Sequence, residues 1–186
     1  SQEVLLGKAN SDKQVYVKIG ERPNVYLVND FVYRDLDKKL GDLRDKTLLA
    51  FDKAKVGSIE IKRADGETVT LKREGGSWKV EGAETAVDAG KVAQYVNDLH
   101  DLKGFEVAGD GVTDLSGYGL APPSMTLTVR AEDGSVVGTI LVGQRDKDGK
   151  PEYTATREGT GTVVVLREFL YPRIDKRGSD FNASPT

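Results

Sequence analysis

The feature that most constrains this 186-residue chain is an internal repeat. Residues 24–39 align with residues 162–177, and Val, Phe, Tyr, Asp and Lys recur at matching positions. The match continues upstream, where residues 4–7 align with residues 140–143. Matching segments that occur in the same order indicate a duplication, and a duplicated sequence predicts a repeated structure.

Each copy is predicted to form three short strands and then a short helix, because runs of Tyr and β-branched residues alternate with polar loops. Between these two aligned segments, Tyr16 of the first copy aligns with Tyr153 of the second after small gaps in the loops. We expect the strands and helix of Val4–Lys39 to superpose on those of Ile140–Arg177. The predicted strands are Val4–Gly7, Val15–Ile19 and Val25–Val28 in the first copy, and Thr139–Gly143, Glu152–Thr156 and Thr162–Leu166 in the second.

A longer unit lies between the two copies. Apolar and polar residues alternate along its short runs, which is typical of strands joined by hairpin turns. The predicted strands are Ile59–Lys62, Val69–Lys72, Trp78–Val80, Met125–Arg130 and Val136–Val142, and the predicted turns are Asp65-Gly66, Gly75-Gly76 and Asp133-Gly134. The stretch from Gly104 to Pro123 is predicted to be irregular.

One long helix is predicted over Asp88–Lys103. Asp88 suits the N-cap and Gly104 suits the position after the last turn. The apolar residues at helical spacing form one stripe, which we expect to pack on a mostly antiparallel sheet: Val92, Tyr95, Val96, Leu99 and Leu102.

Together these elements predict an α+β fold, with mostly antiparallel sheet, one long helix and several short helices. Residues 1–50 are interpreted as the last third of a first repeat with a linker, residues 51–181 as a complete second repeat, and residues 182–186 as a tail. We expect the strands of the first part to join those of Ile59–Val80 in one continuous sheet. The alternative is an open sheet edge that pairs with a second molecule.

This expectation follows from the apolar residues of the first part. Burying one such side chain stabilises a fold by about 1.5–3 kcal/mol, so these residues cannot all remain in water. They are Leu5, Val15, Val17, Tyr26 and Val28.

Composition excludes several kinds of chemistry. The chain has no cysteine, which excludes disulfides, thiolate nucleophiles and cysteine-ligated metals, and it has a single histidine, His100. The net charge is −3 with no basic stripe, which gives no support for nucleic-acid binding. No apolar run approaches the roughly 20 residues that span a bilayer, and no secretory signal is present, so we interpret the chain as an expressed fragment or a mature chain.

Two acidic clusters are more consistent with surface structure than with a site. Asp146–Gly149 resembles a calcium loop, but with Gly149 at position 6 of the motif, position 12 is Ala155, which has no carboxylate. A hairpin turn is the favoured interpretation. His100 lies between Asp98 and Asp101, and a surface histidine on the helix is favoured over a general base because Asp101 is expected to point elsewhere.

No catalytic, cofactor-binding or metal-binding residue is predicted, and a small set forms the possible interaction surface: Tyr118, Leu120, Asp114 and Trp78. Trp78 is a candidate for stacking on a sugar or base, although its alternation with Val80 favours the core. The polar segment Asp110–Pro123 is a candidate functional loop, and the apolar residues within it favour a structural plug.

Four motifs in this order resemble the bacterial domain of unknown function 4340. They are the linker Leu43–Leu49, the tryptophan strand Ser77–Val80, the turn Tyr118–Pro123 and the closing strand Ile140–Gly143. The resemblance implies larger proteins with an N-terminal membrane anchor and extracytoplasmic repeats, and some members are similar to accessory proteins of ABC-type transporters, including a gliding-motility system. It implies no catalytic residues.

The hypothesis that follows is a non-enzymatic, extracytoplasmic interaction module of a membrane-anchored bacterial protein, with a protein partner in an ABC-type transporter or envelope complex and no cofactor. The alternative is a glycan- or peptide-binding module of the cell envelope. A hydrolase with an unfamiliar carboxylate site is the least favoured hypothesis, because paired carboxylates facing a cleft are not evident in the sequence.

Overall fold

The computed structural model describes residues 3–36 and 43–183, which fall into two compact units, Ser1–Arg44 and Asp45–Thr186. The predicted division after residue 50 follows the repeat, whereas the compact units follow packing, so the repeat boundaries stay a prediction.

The first unit contains a three-stranded antiparallel sheet in the order β1-β2-β3. Its strands are β1 (Val4–Ala9), β2 (Gln14–Ile19) and β3 (Val25–Asn29), and helix α1 (Asp30–Leu36) follows directly. Val15 and Val17, which point to one face of β2, are buried. Residues 37–39 of the predicted first copy lie outside the described residues.

The second unit contains an eight-stranded sheet in the order β6-β5-β4-β8-β9-β10-β11-β7, in which every neighbouring pair is antiparallel. Hairpin turns at the predicted Asp-Gly and Gly-Gly positions join several neighbours. The strands are β4 (Val56–Arg63), β5 (Thr68–Glu74), β6 (Ser77–Val80), β7 (Glu106–Gly109), β8 (Met125–Ala131), β9 (Val136–Lys147), β10 (Lys150–Arg157) and β11 (Val163–Val165).

Helix α2 (Ala89–His100) covers one face of this sheet. The Asp88 carboxylate accepts hydrogen bonds from the amides of Gly90 and Lys91, which caps the first turn as the sequence predicts. All five residues of the predicted apolar stripe are buried, and they share a core cluster with residues of the sheet, including Ile59, Leu127 and Ile140.

The prediction of an α+β fold with one long helix is wrong, because the protein is mainly β. Helix α2 has 12 residues, and the remaining described helices are α1, the four-residue α3 (Tyr171–Ile174) and short 3₁₀ segments. The predicted helix ends early because Asp101 leaves helical geometry, with φ −89° and ψ 4°. The Leu102 carbonyl then accepts a hydrogen bond from the Leu48 amide, so tertiary pairing replaces the last helical turn.

The prediction of one continuous sheet is also wrong. Strands β1–β3 form a sheet of their own, and Leu5 and Tyr26 remain exposed while Val15 and Val17 are buried. The linker contributes to the second unit instead, where Leu48 and Leu49 are buried in the core cluster.

Strand pairing repeats between the two copies. Leu6 pairs with Val17 and Val17 with Tyr26, as Val142 pairs with Ala155 and Ala155 with Val164. The predicted alignment therefore agrees with the strand register over residues 4–6, whereas Gly7 lies in an irregularity of β1 between Leu6 and Ala9. The predicted alignment of Tyr16 with Tyr153 is displaced by one residue, because the same register places Tyr16 opposite Leu27 and Thr154 opposite Val165.

The segment after β11 returns to helix α2 and to β4. The Tyr95 hydroxyl donates a hydrogen bond of 2.8 Å to the Ile174 carbonyl, and burial raises the pKa of this phenol well above its ordinary value, so it stays a neutral donor. Arg63 of β4 forms an ion pair with Asp175 and donates to the Lys176 carbonyl. These contacts fasten the C-terminal segment to the core.

Candidate functional site

The main candidate site is the surface of the three-stranded sheet in the first unit, which we call the open sheet (residues 4–29). A cluster of large apolar side chains is exposed there to between 36% and 59%: Val4, Leu5, Leu6, Tyr16, Val25, Tyr26 and Leu27. Pairing places Leu6 and Tyr26 on one face of the sheet and Tyr16 and Leu27 on the other. Scattered exposed apolar residues are ordinary, but so many on one small sheet are typical of an interaction surface.

Both edge strands of the open sheet have unpaired backbone on one side within the described residues. Strand β2 pairs with β1 on one side and with β3 on the other. Among the described residues, the outer edges of β1 and β3 therefore have no partner strand. Unpaired N–H and C=O groups on an edge strand are ready to accept another strand. The open sheet therefore offers apolar faces and hydrogen-bonding edges together.

The predicted interaction residues Tyr118 and Leu120 belong to a loop that packs on the sheet of the second unit. Leu120 is buried, and the Tyr118 carbonyl accepts a hydrogen bond of 2.6 Å from the Thr154 hydroxyl of β10. The Arg145 guanidinium lies 4.9 Å from the centre of the Tyr118 ring. The loop therefore packs on the face of the sheet opposite to the core cluster, and not in the helix–sheet core where the sequence favoured a plug. The residues just before it, which the sequence predicted to be irregular, form β7.

The structure does not bring Trp78 and Asp114 to the same place. Trp78 lies on the edge strand β6, half-buried against the core cluster, and β6 is five positions from β10 in the strand order. Asp114 is exposed, and hydrogen bonds from the hydroxyl and the amide of Ser116 hold its pKa below its ordinary range. This pattern is typical of a carboxylate that caps a turn.

The expectation that Asp101 points away from His100 is wrong. His100 is the last residue of α2, and its Nδ1 lies 2.9 Å from Oδ1 of Asp101 because the chain has already left the helix there. The hydrogen bond from His100 lowers the pKa of Asp101. The Phe51 ring packs edge-on against the His100 imidazole, with the two ring centroids 5.4 Å apart, so the imidazole also has an apolar neighbour.

Asp146–Gly149 forms the tight turn between β9 and β10. Asp148 and Gly149 have φ of 57° and 76°, and the Gly149 amide donates to the Asp146 carboxylate. This is the predicted hairpin geometry.

Across residues 3–36 and 43–183, no group of three or more His, Asp or Glu side chains is arranged to hold a metal ion. In the same residues, no helix has the length and apolarity needed to cross a membrane.

Two shallow depressions in the second unit are further candidates. A groove of about 530 Å³ runs beside α2, where acidic and basic side chains alternate around Tyr95 and Phe181. A depression of about 590 Å³ is aromatic, with Tyr153 stacked on Tyr171 at 4.3 Å and Phe169 exposed beside them. Tyr153 and Thr154 point to opposite faces of β10, so this aromatic surface lies across the sheet from the Tyr118 loop.

Glu152 in the second unit is a little-exposed carboxylate that pairs with two cations, Arg145 and Lys147. Burial by itself raises the pKa of Glu152, but hydrogen bonds from Lys147, at 3.0 Å, and Arg145, at 2.7 Å, outweigh this effect and hold the pKa below its usual range. The three side chains lie across the β9–β10 pair, where Glu152 faces Arg145 in register. The arrangement stabilises the hairpin.

Replacing Glu152 with Gln is expected to reduce the free energy of unfolding by about 1–2 kcal/mol at neutral pH, because two charge-assisted hydrogen bonds weaken. A carboxylate whose folded pKa is lowered contributes stability above its unfolded pKa and loses it as pH falls. The difference between wild type and variant in urea denaturation should therefore shrink from about pH 6 to about pH 3. Replacing the exposed Glu158 with Gln is the control, and a difference that is independent of pH would contradict the assignment.

Comparison with known sequences gives one family. The model of the family described as "Domain of unknown function (DUF4340)" matches residues 1–120 and residues 80–183. The chain belongs to this family. Two overlapping matches are consistent with a repeated layout within a DUF4340 chain. No curated protein and no solved structure matches the chain significantly.

None of the interaction residues predicted from the sequence lies on the open sheet, and an open sheet edge was predicted only as an alternative. The signal that pointed there was the set of apolar residues on these strands, which were expected to be covered in one continuous sheet.

Proposed function

We propose that this chain is a non-enzymatic protein-interaction module and that the open sheet is its binding surface. The observation that carries the proposal is the coincidence of exposed apolar side chains with two unpaired strand edges in residues 4–29. Strand addition at such an edge supplies affinity through backbone hydrogen bonds, and neighbouring apolar pockets supply specificity.

The carboxylates support the non-enzymatic part of this proposal. Every described carboxyl group whose pKa departs clearly from its ordinary value has it lowered, mainly by hydrogen bonds within turns or by neighbouring His, Lys and Arg side chains. General acids that work near neutral pH require the opposite shift. These carboxylates therefore favour structural roles.

For location and partner, the resemblance described above supports an extracytoplasmic module of a membrane-anchored bacterial protein. The partner we propose is a protein of the cell envelope, and an ABC-type transporter component is the first candidate. This part of the proposal rests on association within the family and not on the geometry of a site.

The test is a photo-crosslinking pull-down from solubilised bacterial envelope proteins, with a photoreactive amino acid at position 26. We expect a defined protein to crosslink to the open sheet, and Leu6→Lys to reduce its yield about tenfold, because a charge would have to be desolvated in the interface. Leu6 is exposed, so the variant is expected to fold.

Val136→Lys is the matched control, since Val136 is also exposed but lies in the second unit. It should leave the crosslinked yield unchanged. Equal loss in both variants, or equal retention in both, would show that the open sheet is not the binding surface. Turnover of a substrate by the purified chain would contradict the non-enzymatic proposal.

The aromatic surface favours the alternative, a glycan- or peptide-binding module. Stacked and exposed rings bind the apolar faces of sugars and the side chains of peptides. If Tyr171→Ala abolishes retention on peptidoglycan while Leu6→Lys leaves it intact, the alternative replaces the first proposal.

A further inference from the structure

The two faces of the open sheet differ in what already covers them. Val15 and Val17 lie on one face of the central strand β2 and Tyr16 on the other, because successive side chains along a strand alternate. Val15 and Val17 are 2% and 7% exposed, and helix α1 lies against β2 and β3. Tyr16 is 48% exposed. The face that carries Tyr16, which we call the Tyr16 face, is therefore the one with room for a partner.

The Tyr16 face combines four apolar side chains with one central cation. Leu5 on β1 and Val25 on β3 lie in register with Lys18, one on each side of it. Tyr16 pairs with Leu27 in the same way, and the four apolar side chains are between 45% and 59% exposed. Lys18 is half-buried among them, and within the described parts of the chain its ammonium group forms no hydrogen bond or ion pair.

This arrangement determines the chemistry that a partner needs. Apolar side chains that cover Leu5 and Val25 also remove water from the Lys18 ammonium group, since these two residues flank it. A charge that loses water without gaining a partner is strongly unfavourable. A carboxylate opposite Lys18 offsets this cost through a charge-assisted hydrogen bond. The apolar groups of the partner and an acidic group must therefore lie close together.

We propose that the Tyr16 face binds a peptide segment of the partner protein in which an Asp or Glu lies between apolar residues, with its carboxylate paired to Lys18. The four apolar side chains of the face hold the apolar residues of the segment, and Lys18 selects the acidic one. The outer edge of β3 lies beside Val25 and Leu27, so backbone pairing at that edge and contacts across the face belong to one segment. This inference rests on the proposed function, since it names the chemistry of the protein that the open sheet binds.

Two other occupants fit the Tyr16 face less well. A second copy that presents the same face would bring one Lys18 towards the other, and like charges in an interface repel. An anionic lipid surface attracts clusters of cations, whereas Lys18 is the single cation among the paired residues of this face. Gln14 and Asn29, which pair at one end of the face, supply amide groups that can hydrogen-bond to a peptide backbone.

The test begins with random dodecapeptides displayed on phage and selected on the purified chain. A parallel selection uses the Lys18→Glu variant. We expect the peptides selected on the wild-type chain to carry Asp or Glu flanked by apolar residues. The peptides selected on the variant should carry Lys or Arg at the corresponding position, because the reversed charge requires an opposite partner.

A charge swap makes the result specific. The best synthetic peptide from the wild-type selection should bind Lys18→Glu about tenfold more weakly or worse, as measured by fluorescence anisotropy, because an ion pair becomes a like-charge contact. Replacing the acidic residue of this peptide with Lys should restore binding to the variant, which an unfolded chain could not do.

Lys13→Glu is the matched control. Lys13 is exposed in the turn between β1 and β2, so this variant changes the net charge of the same unit by the same amount. Its effect on the affinity of the wild-type peptide should stay within about threefold, since exposed charges away from the contact are screened.

Other results would overturn the proposal. Selections without a preference for acidic residues, or with the same preference on both chains, would show that Lys18 does not set the chemistry of the partner. Binding to phosphatidylglycerol vesicles but to no peptide would make a lipid surface the occupant. A dimer of the wild-type chain that Tyr16→Lys disrupts would make a second copy the occupant.

The crosslinking experiment at position 26 separates this inference from the proposed function. An envelope protein whose crosslinked yield is unchanged by Lys18→Glu would sustain the proposed function and reject this inference. Acidic peptides that pass the charge swap, without any crosslinked envelope protein, would sustain the chemistry of the Tyr16 face and reject the proposed envelope partner. A crosslinked yield that falls in Lys18→Glu but not in Lys13→Glu would support both.

Discussion

Replacing Gly143 with Ala is expected to destabilise the second unit by about 3 kcal/mol or more, the upper range for inserting a methyl group into a packed interior. The new Cβ would collide with the backbone of Gly119, which has no rotamer to change, and would also press on Leu120. Relief requires the whole loop to move away from β9. Urea denaturation followed by circular dichroism measures the change in the free energy of unfolding.

Gly117→Ala is the matched control for this experiment. Gly117 lies in the same loop, has no positive φ, and a Cβ there would meet no atom within 4 Å. We expect its effect to stay within about 1 kcal/mol, or to be slightly stabilising, since alanine restricts the unfolded chain more than glycine does. Similar losses in both variants would show that the loop does not press on β9.

Replacing Arg63 with Ala is expected to cost about 3 kcal/mol. The Arg63 side chain is 8% exposed and forms an ion pair with Asp175, so its removal leaves a partly buried carboxylate without its cation. Breaking such a pair from one side costs more than the pair contributes, because the remaining charge is poorly solvated. The carbonyl of Lys176 loses its donor in the same variant.

The neighbouring Lys62 supplies the control, since it is exposed and pairs with Glu60 at 2.9 Å on the surface. Lys62→Ala should change the free energy of unfolding by less than about 1 kcal/mol. A double-mutant cycle of Arg63→Ala with Asp175→Ala should show a favourable coupling between the two side chains. Additive effects would mean that Arg63 acts through packing alone.

Local patterns in the sequence were sufficient for most strands and turns. The alternation in Ile59–Lys62 and Val69–Lys72 leaves one face to bury, and Asp65-Gly66 supplies the backbone geometry of the turn between them. The N-cap and the apolar stripe of α2 follow from the same kind of short-range signal. These features involve residues close together in the chain, so sequence reports them directly.

The lengths of elements and the fold class were decided by tertiary contacts. Helix α2 stops at His100 because Leu102 and Lys103 pair with the linker, and Glu106–Gly109 becomes a strand because β11 offers it an edge. The linker and β11 are both distant in the sequence from the residues that pair with them. Long-range pairing therefore shortened the helix and added a strand, which made the protein mainly β.

The candidate site shows the same division. The repeat and the apolar residues of β1–β3 could be read from the sequence. That these strands form a separate sheet, while the aligned residues of β9–β11 are buried beneath α2 and the Tyr118 loop, became evident from the fold alone. The reason is physical: a residue's hydrophobicity is a property of its own side chain, whereas its burial depends on which distant segments pack against it.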